Sequence, residues 1–557
     1  MRGSQALNFL FLLTDQLTIT VLKQYAAGLG DPMQGRYAKT PNLDRLAAQG
    51  VVFENCYCQS PLCVPSRASL CAGRHPSAVG SYDNGSEFGT ANPTFAHALR
   101  ARGYRTVLAG KMHFVGLDQL HGFEERLTPD IYPSTLEWTP DWSRGAYLNH
   151  GACVKKLQPP ANTGRTRTQQ MAYDDQVQRT ALKHFDRMVR EQRNGRDGRP
   201  FFLGVSFTHP HDPFRIPSKY WNLYDAQEIP PPAVGPDPVP SQFQRWINTH
   251  HGVAVFPPTV ELVQAARHAY FGMISYIDEM VGVWLDRLAR TKLLDRTCVL
   301  FSSDHGEMLG EHGMWFKRTY HEPSVRVPLI VALPGGRGGP GGRRGRVDRS
   351  IVSLVDLFPT FCDLAGAALP DRRGHPLDGR SFAPALHGRP LGGPERAFSE
   401  YLGEGTLAPL RMVREGRWKY VYAHGVPAPD GGRRRGRKRA AGGSAPEELL
   451  FDLQTDPFEQ TNLAKRPEQR ARCRSLRRTL FADGWDPARL QATVAASQQA
   501  RLTVVNALMH RGPDRAHSAR ATGSKRTNGV KGGTPAPRPF VDDADFWGAQ
   551  PGFPERH

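Results

Sequence analysis

No apolar run in these 557 residues is long enough to cross a bilayer, which excludes a helical membrane span. The opening MRGSQALNFLFLLTDQ has one Arg and an apolar run of about five residues, too short for the core of a secretory leader. No small-residue cleavage site follows it, so a soluble cytoplasmic protein with reduced thiols is expected. Zinc-knuckle spacing is missing as well. Cys56, Cys58, Cys63 and Cys71 form C-x-C-x4-C-x7-C with no suitable His among them. Aromatic residues make up only 9% of the chain. None of them interrupts the two basic runs, GGRGGPGGRRGR at 335–346 and GGRRRGRKR at 431–439, in which much of the +19 charge is concentrated. Gly-spaced Arg runs of this kind read as solvated loops with at most weak attraction to polyanions, not as a specific nucleic-acid face.

What is present is an alternation of strands and helices. Phe9 to Leu13, Thr106 to Ala109, Phe201 to Phe207 and Cys298 to Phe301 are short continuous apolar runs, the pattern of parallel strands buried on both faces. Between them lie helical patterns. One covers Pro93 to Arg102 with Asn92 as N-cap, and a long one covers roughly 261–290, where Ile274, Ile277, Val281, Leu285 and Leu288 recur at helical steps. This predicts an α/β domain with a largely parallel sheet flanked by helices. Each strand run ends in polar residues: Asp15-Gln16, Lys111-Met112-His113, His209-Pro210-His211 and Asp304-His305. Open sheets of this type bind ligands beyond the carboxyl ends of their strands, so these groups are expected to converge at one edge.

Beyond about residue 390 the pattern changes to short strands near 397–401, 410–413, 418–422 and 448–453. The expected organisation is a catalytic α/β domain over 1–390 and a smaller α+β domain with an antiparallel sheet over 391–510. A basic tail over 511–557 would be partly disordered or an oligomerisation arm.

Residues 63–76 read CVPSRASLCAGRHP. The pattern C-x-P-S-R-x-S-L-x-x-G-R resembles the signature of the type I sulfatases, whose fold is alkaline-phosphatase-like. That resemblance implies that Cys63 is oxidised to formylglycine by a formylglycine-generating enzyme that reads Pro65 and Arg67. A hydrated aldehyde offers one hydroxyl as nucleophile and a second whose deprotonation expels sulfate. The resemblance also implies a divalent cation held by Asp15, Gln16, Asp304, His305 and residue 63. Ca2+ is the first choice, with Mn2+ or Mg2+ as alternatives. By the same resemblance Lys111 and Lys317 hold sulfate oxygens and Arg67 holds the diol. His209 protonates the leaving alcohol, and His113 takes the proton that releases sulfate. EMLGEHGMWFK at 307–317 continues the family pattern.

Within that family, YDN at 82–84, DQLHGFEERLTPDIYP at 118–133, VSFTHPHDP at 205–213 and AYFGMISYIDEMVG at 269–282 are similar to the choline sulfatases. That implies choline-O-sulfate or a similar small organic sulfate as substrate, a homo-oligomer (dimer or tetramer), and a quaternary-ammonium cage drawn from Trp138, His150 and Glu400. The Asp-Gln with Asp-His combination also occurs in phosphonate monoester hydrolases, which leaves phosphonate or phosphodiester hydrolysis as an alternative. A polyanion-binding protein and an unmodified, inactive relative are the remaining readings.

Overall fold

The computed structural model of the chain describes residues 6–149, 151, 153–157, 167–334, 345–370, 376–425 and 445–508. His150, the basic stretches 335–344 and 431–439, and the tail beyond 508 lie outside the described residues.

The four apolar runs are strands: β1 (Asn8–Thr14), β3 (Arg105–Gly110), β5 (Phe201–Ser206) and β6 (Thr297–Ser303). They lie side by side in the order β3-β5-β1-β6, all parallel. β4 (Glu125–Arg126) extends one edge. The other side continues through β8 (Leu329–Ala332) to β2 (Val51–Tyr57), which also pairs with β7 (Arg326–Val327) and β9 (Arg346–Ser353). β7 and β8 run antiparallel to their neighbours, so the nine-stranded sheet is mixed but mostly parallel. Successive side chains of β1 feed two cores. Phe9, Phe11 and Leu13 pack on one face, Leu10 and Leu12 on the other. With both faces covered, an unbroken apolar run is what such a strand requires.

Register makes the strand ends level. Gly110 and Leu13 both pair with Ser206, and Thr14 pairs with Ser303. Lys111, Asp15 and Asp304 therefore leave the sheet in one row. Gly110 is obligatory here: its φ is +98°, and a Cβ would sit 1.8 Å from the Ser206 carbonyl oxygen.

The long helix spans Val260–Thr291, capped by the Thr259 side chain. Its 269–282 segment is structural. The Tyr270 hydroxyl donates to the Gln16 carbonyl (2.5 Å), and Asp278 accepts the N–H groups that open the helix Pro41–Gln49. The helix expected at Pro93–Arg102 is Phe95–Ala101, and its N-cap is Thr94 rather than Asn92. Thr94 accepts the His97 N–H in a capping box, whereas the Asn92 amide donates to Val79 and Gly89 carbonyls.

The C-terminal strands β10 (Arg396–Tyr401), β11 (Leu410–Glu415), β12 (Trp418–Ala423) and β13 (Glu447–Asp452) form a separate antiparallel four-stranded sheet. Its own core gathers Val413, Tyr420, Leu450, Leu476, Leu480 and Val494. The last helix, Pro487–Leu508, returns to the loops of the large sheet. There Arg501 grips Asp83 with two 2.7 Å bonds and reaches Thr139 (2.9 Å). Among the described residues no helix is long and apolar enough to cross a membrane.

Candidate active site

Cys63 opens a helix, Cys63–Ala72, in which every residue is buried. Cys63 itself is 2% exposed. The neighbouring Val64 N–H donates to Asn84 Oδ1 (3.1 Å), and Ser66 Oγ donates to the Asp304 carbonyl (2.6 Å). One turn along, on the face that carries Cys63, stands Arg67. Its guanidinium binds all four central strand ends. It meets Asp15 Oδ2 at 2.8 Å, Asp304 Oδ2 at 2.7 Å, the Lys111 carbonyl at 2.6 Å and Ser206 Oγ at 2.9 Å. Burying this cation without partners would be prohibitive; with every partner supplied, it locks the row together.

Around Cys63 the charges alternate. Its Sγ lies 3.2 Å from His305 Nε2, 3.8 Å from Lys111 Nζ and 3.9 Å from Asp15 Oδ1. Lys111 Nζ is 2.5 Å from Asp15 Oδ2. Lys317 Nζ donates to Gln16 Oε1 (2.5 Å) and to His211 Nε2 (2.7 Å). The Gln16 amide in turn donates to Glu307 (2.5 Å) and Asp212 (3.3 Å).

Burial and the nearby Cys63 sulfur would raise the pKa of Asp15, but Lys111 and Arg67 prevail and hold it well below the usual carboxylate range. Burial wins at Asp304, whose pKa is raised with help from the Asp15 charge and against the pull of Arg67. The Cys63 thiol moves the other way. Against the burial penalty, Lys111, Lys317 and His305 lower its pKa well below that of a free thiol. Position 63 is thus set in a field that favours negative charge.

Four of these residues could hold a divalent cation. One ligand atom each from Asp15, Cys63, Asp304 and His305 lies within 4.8 Å of the others, all buried. Arg67 and Lys111 occupy Oδ2 of Asp15 and leave Oδ1 facing the cluster. His305 Nδ1 is anchored on the Gly306 carbonyl (3.0 Å), which turns Nε2 inward.

Two histidines border this centre. His209 is buried, with Nδ1 2.7 Å from Asp174. The His113 backbone N–H donates to Asp130 (2.5 Å), and its ring packs 5.3 Å from both Tyr132 and Trp138. Burial lowers the His113 pKa, with the nearby Cys63 offsetting part of the shift.

A model of the Sulfatase family matches residues 8–367. This chain belongs to the sulfatase family. The sulfatase is 41% identical to the choline-sulfatase of Rhizobium meliloti (strain 1021) over 511 residues, 90% of this chain and 91% of that one. It is 27% identical to the arylsulfatase of Clostridium perfringens (strain 13 / Type A), covering 80% of this chain and 89% of the relative. Among solved structures, the phosphonate monoester hydrolase of Agrobacterium radiobacter matches with a TM-score of 0.62 at 24% identity, over 88% of this chain and 96% of the other. That match shows the shared alkaline-phosphatase-like fold. The family and the 41% identical relative make this chain an enzyme that hydrolyses sulfate esters.

The structure of the sulfatase brings together Asp15, Gln16, Cys63, Arg67, Lys111, Asp304, His305 and Lys317. It sets His113 beside Trp138. Glu400 is engaged elsewhere: its two oxygens accept from the Ser77 N–H (2.9 Å) and Ser77 Oγ (3.0 Å), and Arg411 lies 3.6 Å away. Four residues on, Glu404 pairs one oxygen with Arg318 (3.1 Å) and Asn84 (3.1 Å). Its other oxygen is buried without a hydrogen bond among the described residues. Sequence reasoning passed over Glu404, Glu307, Asp130 and Asp174. Only Asp174 carried a signal: it stands on the buried stripe Met171, Asp174, Val177, Ala181 of the helix Gln169–Arg193, where a carboxylate needs a reason.

Proposed function

We propose that this sulfatase hydrolyses choline-O-sulfate, or a closely related small cationic sulfate ester, through formylglycine formed from Cys63. The observation that carries the reading is the placement of residue 63 at a buried helix start, ringed by Arg67, Lys111, Lys317 and the Asp15/Asp304 carboxylates. One hydroxyl of the hydrated aldehyde attacks sulfur, and the S–O bond to the alcohol breaks as His209 donates a proton to the departing oxygen. His113 then takes the proton of the second hydroxyl. The C=O bond re-forms, the C–O bond to sulfate breaks, and water rehydrates the aldehyde. Lys111 and Lys317 hold the sulfate oxygens. Asp15, Gln16, Asp304, His305 and residue 63 would hold a divalent cation, which would supply positive charge favouring the ionised nucleophile.

Cys63 is 2% exposed, so an oxidising enzyme reaches it only before the chain folds. Mass spectrometry of protein co-expressed with a formylglycine-generating enzyme should find the residue-63 peptide lighter by the change from CH2SH to CHO. Sulfate-ester activity should rise with the modified fraction. An active preparation with an unmodified Cys63 peptide would overturn this reading.

For the cationic end of the substrate, Trp138 offers a half-buried ring 5.2 Å from Tyr132 and 5.3 Å from His113. Glu404 offers the unpaired carboxylate oxygen, reached from the Cys63 helix through Asn84. It replaces Glu400 as the candidate counter-charge. Removing an aromatic face from a desolvated quaternary ammonium costs about 2 kcal/mol. Trp138→Ala should therefore lower kcat/KM roughly thirtyfold on choline-O-sulfate, with a much smaller loss on 4-nitrophenyl sulfate. Glu404→Gln should discriminate in the same direction, and Glu400→Gln should not. Equal losses on both substrates would leave these residues with a packing role only.

A further inference from the structure

His209 is held more tightly than any proton donor needs for packing alone. Its Nδ1 lies 2.7 Å from Asp174 Oδ2, and both groups are fully buried. The same carboxylate accepts the backbone N–H groups of Thr208 (2.7 Å) and His209 (3.0 Å). Ring and main chain are thus fixed by one side chain. Tyr276 closes the other side: its ring meets the imidazole edge-on at 5.0 Å, and its hydroxyl is anchored on Asp175 at 2.8 Å. What remains of the imidazole is Nε2, a buried nitrogen with no hydrogen-bond partner among the described residues. An orphaned buried polar atom on an otherwise fully satisfied ring marks the atom kept for a reacting group.

We infer that Asp174 is a positioning residue for the leaving-group step, and the inference rests on the assignment of His209 as general acid. A carboxylate that accepts from Nδ1–H fixes the tautomer, so any further proton on the ring is taken up and given away at Nε2. With the ring held in this way, the nitrogen that meets the ester oxygen is Nε2, the one left without a protein partner among the described residues. As the S–O bond breaks, its electron pair goes to the alcohol oxygen and the Nε2 proton follows. The ring is left neutral with its Nδ1–H still on Asp174, and it is reprotonated from water before the next turnover.

Asp174→Asn keeps size but removes the charge. Its amide can donate to Nδ1 as well as accept from it, so the tautomer is no longer fixed. General acid catalysis contributes about 10²–10⁴-fold, and more when the leaving group is poor. On choline-O-sulfate, whose leaving group is an alkoxide, kcat should fall about a hundredfold with KM nearly unchanged. On 4-nitrophenyl sulfate, whose phenolate leaves unaided, the loss should stay below about tenfold. In the His209→Ala background Asp174→Asn should add less than about twofold, because the two residues act as one unit. Equal losses on the two substrates, or losses that simply multiply with those of His209→Ala, would overturn the inference. If His209→Ala itself failed to discriminate between the substrates, the general-acid assignment would fall first and the inference with it. Thermal melting shows whether the Asn variant folds. Should it not, 15N-histidine NMR of the wild type decides: one strongly downfield imidazole N–H that disappears in His209→Ala supports the pair, and its absence overturns it.

Discussion

Cys63→Ala removes all measurable sulfate-ester turnover while the protein keeps its fold. The reason lies in how little holds the side chain and how much surrounds it. Its sulfur makes one close contact, 3.2 Å to His305, and two long ones, 3.8–3.9 Å to Lys111 and Asp15, so its loss strips one weak sulfur hydrogen bond. Alanine is at home in a helix, and truncating one small buried atom costs about 1 kcal/mol. The charges that converge on the position remain in place, but they have nothing to activate. Ground-state binding of sulfate should survive, because Lys111 and Lys317 are untouched, while kcat should fall by at least about 10⁴-fold, since no covalent route is left. Steady-state kinetics on an aryl sulfate, with circular-dichroism melting as the fold control, check both halves. Full activity in the alanine variant would remove the basis of the proposed chemistry.

The second large effect is expected on the cation. Asp15→Asn and Asp304→Asn each delete a charged oxygen from a buried centre that already confines two carboxylates, a thiol and an imidazole. Arg67 pairs with one oxygen of each Asp and Lys111 with Asp15, yet burial still raises the pKa of Asp304. A divalent cation held by Asp15, Asp304 and His305 would add positive charge beside that carboxylate. Exhaustive chelation should cut activity by about 10²–10³-fold, and Ca2+ or Mn2+ should restore it. The same metals should raise the melting temperature of the chelated wild type, because anything that binds only the folded state stabilises it. That stabilisation should be weak or lost in Asp15→Asn. Undiminished activity after chelation, with no metal in the purified protein, would rule out a required cation.

The proposed chemistry separates the groups near residue 63 by task. Arg67 holds the strand ends together and cannot be altered without removing the 2.7 Å ion pair of the buried Asp304, a change of about 3–5 kcal/mol. Lys111 and Lys317 are the cations with freedom to exchange a protein partner for a substrate oxygen. The loops around Trp138 are braced by the last helix, through Arg501 on Asp83 and Thr139 and through Gln498 on the Trp142 N–H (3.0 Å). The C-terminal part of the chain therefore braces the loops that carry Trp138.

By itself the sequence determined the family, through CVPSRASLCAGR, and the central sheet, through apolar runs that end in Asp, Lys or His. Both are local properties. A strand buried on both faces must be apolar throughout, and a strand end that meets solvent or substrate must turn polar. The same locality misplaced the cap of the helix Phe95–Ala101, because Asn92 and Thr94 are both able N-caps and only the packing decides which hydroxyl or amide is free. Tertiary structure alone decided which carboxylates face the centre. Glu400 and Glu404 are alike in sequence, four residues apart. Yet Ser77 and Arg411 saturate the first, whereas Arg318 and Asn84 leave an oxygen of the second unpaired. Asp174 likewise lies 35 residues from His209, and no spacing rule joins them. A buried carboxylate takes its role from whichever cation or N–H the fold brings within 3 Å, and those partners come from chain segments whose meeting is set by the sheet order.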